Sequence, residues 1–451
     1  MGPSLTKSVP KVLHLVAGRP MLAHVLDAVS AGTTGMPVNI VVVVGHGANQ
    51  VQEMFPSGAS ADRSLRFVEQ SQQLGTGHAV LQAAPLLDEA VPTLVLYGDV
   101  PLIRSTTLQR LFAAGGDVAL LTVQLAQPAG YGRIVRDWHG NVLRIVEERD
   151  ADEDERKLTE VNTGILIAPT ARLKRWLKAL SNDNEQREYY LTDVIAQAVA
   201  ERCRVIAVEC SDSDETRGVN SKEQLAIVER IAQRRVASEL MECGTTLADP
   251  ARIDVRGKVK VGAGVSIDVG CVFEGQVDLA DGVRIGAYCV LRNCSVGAGT
   301  ELLPFSHLDG ATIGAAARIG PYSRLRPGAH LSDEVHIGNF VEVKASTLGR
   351  ASKANHLAYV GDATVGANVN IGAGTITANY DGARKHQTVI GDDVSIGSNA
   401  VLVAPVTIGQ GATIAGGSTI SKNAPEGKLT VARARQTTLD GWKRPTKEKK
   451  G

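Results

Sequence analysis

Two groups of residues in this sequence have the types and spacing to do chemistry. The first is Lys353, Asn355, His356 and Tyr359, within a stretch from Leu348 to Val365 where a strict repeat loosens. An unperturbed imidazole titrates near neutral pH, so His356 is a candidate general base. A lone histidine is more often a surface or satisfied residue. Its place beside Lys353 and Tyr359, at a break where packing needs none of these side chains, favours function. The second group centres on Asp99 in Tyr97-Gly98-Asp99, after the β-branched run Thr93 to Tyr97. α/β sheets place ligands at the carboxyl ends of their strands, and a hard carboxylate there suits Mg²⁺. The competing use of such an Asp is to cap a turn. A third stretch, Thr377 to Val389, is polar and contains Gly, which predicts a loop leaving the repeat.

The elements that must position these residues fall into two kinds. In the first half, Val38 to Val44 and Thr93 to Tyr97 are apolar runs that stop at Gly, as buried strands of a parallel sheet do. Pro20 to Val29 and Thr106 to Ala114 carry helical spacing. Alternating strands and helices predict a doubly wound, Rossmann-like α/β domain over residues 1–220. A charged helical pattern over 221–243 predicts a linker helix. It has Glu223, Glu229, Arg230, Arg234 and Arg235 on one face and Leu225, Ile227, Val228, Ile231 and Val236 elsewhere.

From 244 to 451 the pattern changes. Val255, Val261, Ile267, Phe273, Leu279, Ile285 and Leu291 recur every six residues, and the period returns from Ile313 to Val343 and from Ile390 to Ile420. A fixed short period means a solenoid. Six residues make one flat strand and a corner, and three sides close a triangular coil, so the expectation is a left-handed parallel β-helix. A β-sandwich would space its turns irregularly, at 8–12 residues.

Composition limits the function classes. Lys plus Arg and Asp plus Glu are both 48, which gives no basic footprint for nucleic acid or a membrane surface. The longest apolar run, Ile40 to Val44, is too short to span a bilayer, and no signal-peptide core is visible. Cys203, Cys210, Cys243, Cys271, Cys289 and Cys294 fit neither a zinc site nor a disulfide framework. The expected setting is the cytoplasm, with no stable membrane association.

Nine motifs occur in one order: Pro10-Lys-Val-Leu-His14, Gln73-Leu-Gly-Thr-Gly-His78, Tyr97-Gly-Asp-Val-Pro101, Gly130-Tyr-Gly-Arg133, Asn162-Thr-Gly164, Gly218-Val-Asn220, Asn355-His-Leu-Ala-Tyr359, Asn368 to Thr375, and Asn379-Tyr-Asp-Gly382. Together they resemble the bacterial bifunctional family that joins glucosamine-1-phosphate N-acetyltransferase to N-acetylglucosamine-1-phosphate uridylyltransferase. The resemblance implies acetyl-CoA and UTP as co-substrates, Mg²⁺ as cofactor and a homotrimer. It implies His356 as base, Arg326 and Lys344 on the acceptor phosphate, and Tyr359 and Asn370 on its sugar. Ala373, Asn379, Tyr380, Ser398, Gly416 and Arg433 would line the acetyl-CoA site. Position 416, often Ala in the family, is Gly here, which a backbone contact would survive. Read without the family, Arg326 is an ordinary exposed charge, and the basic tail (Lys443, Arg444, Lys447, Lys449, Lys450) is a solvated end. For uridylyl transfer the resemblance implies Lys11 near the phosphates and Gln70, Gly75 and Thr76 on the uracil. Tyr97 and Gly98 would join that UTP site, with Gly132, Glu147 and Asn162 on the sugar and Asp99 with Asn220 on the metal.

One departure stands out. Family members open with a strand and a Gly-rich L-A-A-G-x-G-T-R-M loop, and this sequence opens Met1-Gly-Pro-Ser-Leu-Thr-Lys-Ser-Val-Pro10. Because that strand is usually central, a gap in the core is expected without it. The preferred reading is a truncated or misassigned chain start. The others are an acetyltransferase with an inactive nucleotidyltransferase domain, and replacement of the strand by another segment. Two further functions compete: a β-helix metalloenzyme built on His307, His330, His336, His356 and His386, and a non-catalytic assembly subunit.

Overall fold

The computed structural model describes residues 9–59 and 63–447. The chain divides into two compact units, residues 1–233 and 234–451, and the division falls inside the helix Lys222–Glu242. That helix replaces the predicted 221–243 within a residue at each end. Its first half buries Val228, Ile231 and Ala232 against Val16, Met21, Leu102 and Val219 of the first unit. Its second half places Ala237 and Leu240 in the core of the second.

The first unit is a mixed α/β layer structure. Val38–Val44 forms as predicted and pairs in parallel with Arg63–Glu69. Pro92–Val95 stops two residues before Tyr97, and the helices are Met21–Gly32 and Ser105–Ala113. The sheet is not all parallel: Glu160–Pro169 runs antiparallel to both Pro92–Val95 and Val118–Gln124, while Val205–Glu209 is parallel to Val118–Gln124. Among the described residues Val38–Val44 and Pro92–Val95 belong to separate sheets, of three and six strands. Val38, Ile40, Leu94 and Leu96 nevertheless pack on one cluster around Leu108 and Leu121. The opening residues Met1 to Ser8, on which the expectation of a gap in the core rests, lie outside the described residues.

The second unit is a parallel β-helix. Its strands stack in register from coil to coil, as in Ile267 beside Ile285 and Leu325 beside Val343. The repeated aliphatics point inward and are buried; of the first run only Val261 is partly exposed. The side chains are the core of each coil and pack on those of the next, so burial is continuous along the axis.

Two expectations about the breaks are corrected. Leu348 to Val365 is not a break. Its strands Lys353–His356 and Tyr359–Gly361 stay in the coil, with Ala354 and Val360 at the inward positions. Successive partners here are 17 residues apart (Thr347 opposite Thr364) instead of 18, because one side is shortened to five residues. The second break is smaller than the sequence suggests: Thr364 pairs with Val389, 25 residues on instead of 18, and Ile376–Ala378 and Thr388–Ile390 remain strands, so the loop is confined to residues 379–387. No helix among the described residues is long and apolar enough to cross a membrane.

Candidate active sites

In the first unit the sequence-predicted residues form two adjoining groups. Lys11, in the turn Lys11–Leu13, sends Nζ to within 2.5 Å of Asp99 Oδ2 and 2.7 Å of Asn220 Oδ1. Two oxygens from distant parts of the sequence thus converge on one ammonium, which is the donor chemistry a hard cation takes. Gly98, next to Asp99, is packed against Val12: a Cβ there would lie 3.1 Å from Val12 Cγ1.

The second group surrounds Tyr97. Burial first, then the nearby Glu147 and Asp99 charges, push its phenol up to about 12, so it is a neutral hydrogen-bonding group. Thr76 at the start of helix Thr76–Ala83 bonds to it and accepts the Leu191 amide at 3.2 Å. Gly75 precedes that helix with φ +104, and a Cβ would meet Tyr189 O at 2.7 Å, so only Gly fits. Gln70 Nε2 donates to Gly75 O and lies 2.9 Å from His78 Nδ1. Glu147 accepts from Thr192 Oγ1 at 2.9 Å, and burial holds its carboxyl above the usual range. Gly132 O accepts the Asn162 amide at 2.8 Å, and Asn162 Oδ1 accepts from Gly164 N. Gly164 has φ +81 and lies against the Tyr97 ring. All eleven residues predicted for uridylyl transfer are thus in the first unit, tied by these contacts. Thr192 and Tyr189 are additions, and no motif signalled them.

In the second unit the sites lie along one corner of the coil. The corner residue is left-handed on every turn: Tyr288, Phe305, Tyr322, Phe340 and Leu357 have φ between 52 and 61, and Gly374, Asn399 and Gly417 follow at 72, 56 and 71. Each donates its N–H to a carbonyl on the preceding coil, for example Leu357 to Asn339 and Gly374 to His356, both at 3.1 Å. The four aromatic rings stack at centroid spacings of 5.0–5.5 Å. Beyond Leu357 the column becomes small. The residues before the corner there are Ala373, Ser398 and Gly416, all predicted for acetyl-CoA. Arg433 Nη1 donates to Gly416 O at 2.8 Å and joins that end. His356 stands where the bulky column stops, exposed, with Nδ1 2.9 Å from Asn339 Oδ1.

A polar cluster sits on the neighbouring face. Asn379 Nδ2 lies 3.2 Å from Tyr359 Oη and 2.5 Å from Asp362 Oδ2. The same Asp362 oxygen is 3.5 Å from Lys344 Nζ. Arg326 Nη1 donates to Glu342 Oε1 at 2.9 Å, and Glu342 is opposite Tyr359 in register. Lys385, from the long loop, lies at Lys344, and a hydrogen bond between the two side chains, then their like charge, holds the Lys385 ammonium below its ordinary value. Asn370 is in register with Lys353, and Tyr380 turns its hydroxyl onto Gly382 O at 2.6 Å. Sequence reasoning missed Asn339, Glu342, Asp362 and Lys385. Asn339 was findable: it lies one 17-residue coil before His356.

Among the described residues no three His, Cys, Asp or Glu side chains gather as a metal site, so the five helix histidines do not form one.

Comparison with known proteins now adds the family. A MobA-like NTP transferase domain model matches residues 1–182, and a bacterial transferase hexapeptide model of six repeats matches residues 387–422. "Bifunctional protein GlmU" of Cupriavidus pinatubonensis is 59% identical over 452 residues, covering 100% of this chain and 98% of the relative. The chain belongs to the bifunctional GlmU family. The relative of the same name from Ralstonia pickettii is also 59% identical, and that from Herminiimonas arsenicoxydans 56%, with the same coverage. As a member of that family the chain is a bifunctional transferase, and the reading as an acetyltransferase with an inactive first domain is not favoured. An apo UDP-glucose pyrophosphorylase crystal structure aligns with 51% of this chain and 92% of its own at 16% identity and a TM-score of 0.41, too loosely to bear on the fold.

Proposed function

We propose that the two sites make UDP-N-acetylglucosamine in succession. The helix site moves an acetyl group from acetyl-CoA to the amine of glucosamine 1-phosphate. The first unit then joins the product to the α-phosphate of UTP and releases pyrophosphate. The observation that carries this reading is the corner column, which runs from bulky residues as far as Leu357 to Gly374, Asn399 and Gly417 and places an exposed imidazole where the bulk ends.

In the helix site, Arg326 and Lys344 take the acceptor phosphate, with Glu342 and Asp362 holding their heads in place. Tyr359 and Asn370 contact the sugar. His356 Nε2 removes a proton from the substrate ammonium. The neutral amine nitrogen then bonds to the thioester carbonyl carbon, the carbon–sulfur bond breaks, and the second proton that nitrogen loses as the amide forms goes to the departing thiolate. Asn379 and Tyr380 flank the reacting end of the cofactor, Ala373 and Ser398 its length, and Gly416 with Arg433 its far end.

In the first unit, Gln70, Gly75 and Thr76 read the uracil, Gly132, Glu147 and Asn162 the sugar, and Tyr97 and Gly98 close the floor. Asp99 and Asn220 would hold Mg²⁺, a role supported by their shared reach to one ammonium. That ion supplies charge neutralisation on the phosphates. Lys11 approaches the triphosphate. The enzyme works as a cytoplasmic homotrimer, a reading supported by its fold class and by six free cysteines.

The test supplies acetyl-CoA, glucosamine 1-phosphate, UTP and Mg²⁺ and follows coenzyme A and pyrophosphate release. Both should appear, and His356→Ala should cut coenzyme A release by about 10²–10⁴ while pyrophosphate release from N-acetylglucosamine 1-phosphate is unchanged. Coenzyme A release at background in the unaltered protein would refute the acetyl-transfer half.

A further inference from the structure

We infer that Asn339 is a positioning residue for acetyl transfer, fixing the tautomer in which His356 can act. The inference rests on His356 being the base. Asn339 and His356 hold the same corner position on consecutive coils, and strands His336–Asn339 and Lys353–His356 pair in parallel with these two residues opposite each other. The backbone on both sides is pinned, since the Leu357 amide donates to Asn339 O and the Gly374 amide to His356 O. The side chains are therefore brought together by the stacking of the coil itself, at 2.9 Å between Oδ1 and Nδ1.

A carboxamide oxygen only accepts, so this contact requires the proton on Nδ1 and leaves the Nε2 lone pair free. Free imidazole favours the opposite form, with the proton on Nε2. Without a partner at Nδ1, most neutral His356 side chains would present a proton where a base needs a lone pair. Among the described residues of this column, the neighbours on either side do not replace Asn339. One coil before it the column has Pro321, and one coil after His356 it has Ala373, neither with a side-chain acceptor. The charged groups that face this corner are His336 on the Asn339 strand, Lys353 on the His356 strand and Arg318, which is opposite His336. Lys353 and Arg318 are cations and accept nothing. His336 is held below its ordinary value, by burial first and then by Arg318, Lys353 and His356, consistent with a corner that disfavours added positive charge.

The reverse amide orientation, with the Asn339 nitrogen donating to Nδ1, would put the proton on Nε2 and silence the base. The two arrangements give opposite spectra. In the full chain labelled with ¹⁵N-histidine, two-bond proton–nitrogen correlations above the imidazole titration should show His356 protonated on Nδ1, assigned by its loss in His356→Gln. Asn339→Ala should switch it to Nε2 and lower kcat for coenzyme A release about 10-fold, the lower end of what losing the orienting partner costs a metal-bound histidine. KM for both substrates should stay unchanged. Asn339→Asp, which keeps the acceptor, should restore the Nδ1 form and most of kcat. An Nε2-protonated His356 in the unaltered protein, or full kcat in a folded Asn339→Ala, overturns the inference. If His356→Gln itself keeps acetylating, the base assignment has failed instead; if His356→Gln is inactive and Asn339→Ala is not, only the role of Asn339 has failed.

Discussion

Lys11 Nζ lies 2.5 Å from Asp99 Oδ2, so the carboxylate proposed for Mg²⁺ already faces a monovalent cation. A divalent ion must displace that ammonium, and Lys11 must then find another anion, for which the triphosphate is suited. Lys11→Met is therefore expected to lower the Mg²⁺ concentration for half-maximal pyrophosphate release while cutting kcat about 10²-fold, as loss of one donor to a reacting phosphate does. Asp99→Asn should raise that Mg²⁺ requirement. The check is a Mg²⁺ titration of each variant; an unchanged midpoint in both would separate this pair from the metal.

Asp362 links Lys344, proposed for the acceptor phosphate, to Asn379, proposed for the cofactor. Asp362→Asn should raise KM for glucosamine 1-phosphate and for acetyl-CoA together, each about 10-fold, the worth of one charge-assisted hydrogen bond of ~1.5 kcal/mol. Varying each substrate in turn tests it. A rise confined to one substrate would mean that the carboxylate serves only one partner.

Glu147 gives a pH signature. Burial disfavours its charged form, so its carboxyl titrates higher in the folded protein than in the unfolded chain. Its contribution to stability is then greatest at pH below the unfolded value. It declines as pH rises from that value through the raised folded one, and the deficit is constant above it. Glu147→Gln should remove this slope and raise the unfolding Tm of the first unit at neutral pH, while impairing uridylyl transfer. Thermal scans from about pH 4 to 8 would show it, because that window brackets the ordinary carboxylate titration.

Gly417 tests the column. A Cβ there meets nothing within 4 Å, and its φ of +71 is near those at which Tyr288 and Phe340 sit on the same corner. Gly417→Phe should cost only about 1 kcal/mol of stability from the left-handed backbone. It should also obstruct the proposed cofactor site, raising KM for acetyl-CoA at least about 10-fold, or ~1.4 kcal/mol of binding, with acceptor KM unchanged. Equal KM values for acetyl-CoA in the two proteins would place the cofactor elsewhere.

The β-helix was legible because its signal is local and repeated: Val255 to Leu291 keep step, and all but Val261 are fully buried. The misreading around His356 has a physical cause. Ala354 and Thr377 occupy inward positions without looking like core residues, and sides shortened to five residues shift the phase. The mixed direction of the first sheet was hidden for another reason. Residues Ile165 to Ala168 are as apolar as a parallel strand, and direction is set by pairing with Val118–Gln124, which a strand's own composition does not encode. The residues carried by motifs lie together in the fold, as Lys11, Asp99 and Asn220 do. The groups bonded to such residues, such as Thr192 to Glu147 and Asp362 to Asn379, come from other parts of the sequence and are joined only by folding.

The corner column also works as a ruler. Adjacent strands rise about 4.8 Å, so His356 and the Gly416–Arg433 anchor, three coils on, are fixed roughly 14 Å apart along the axis. On the proposed assignment, a thioester carrier lying along this corner would be measured by counting coils. Deleting the 18 residues 398–415, the coil after the long loop, would leave the imidazole and the acceptor cluster as they are and move the far anchor one notch nearer, shifting preference toward a shorter carrier.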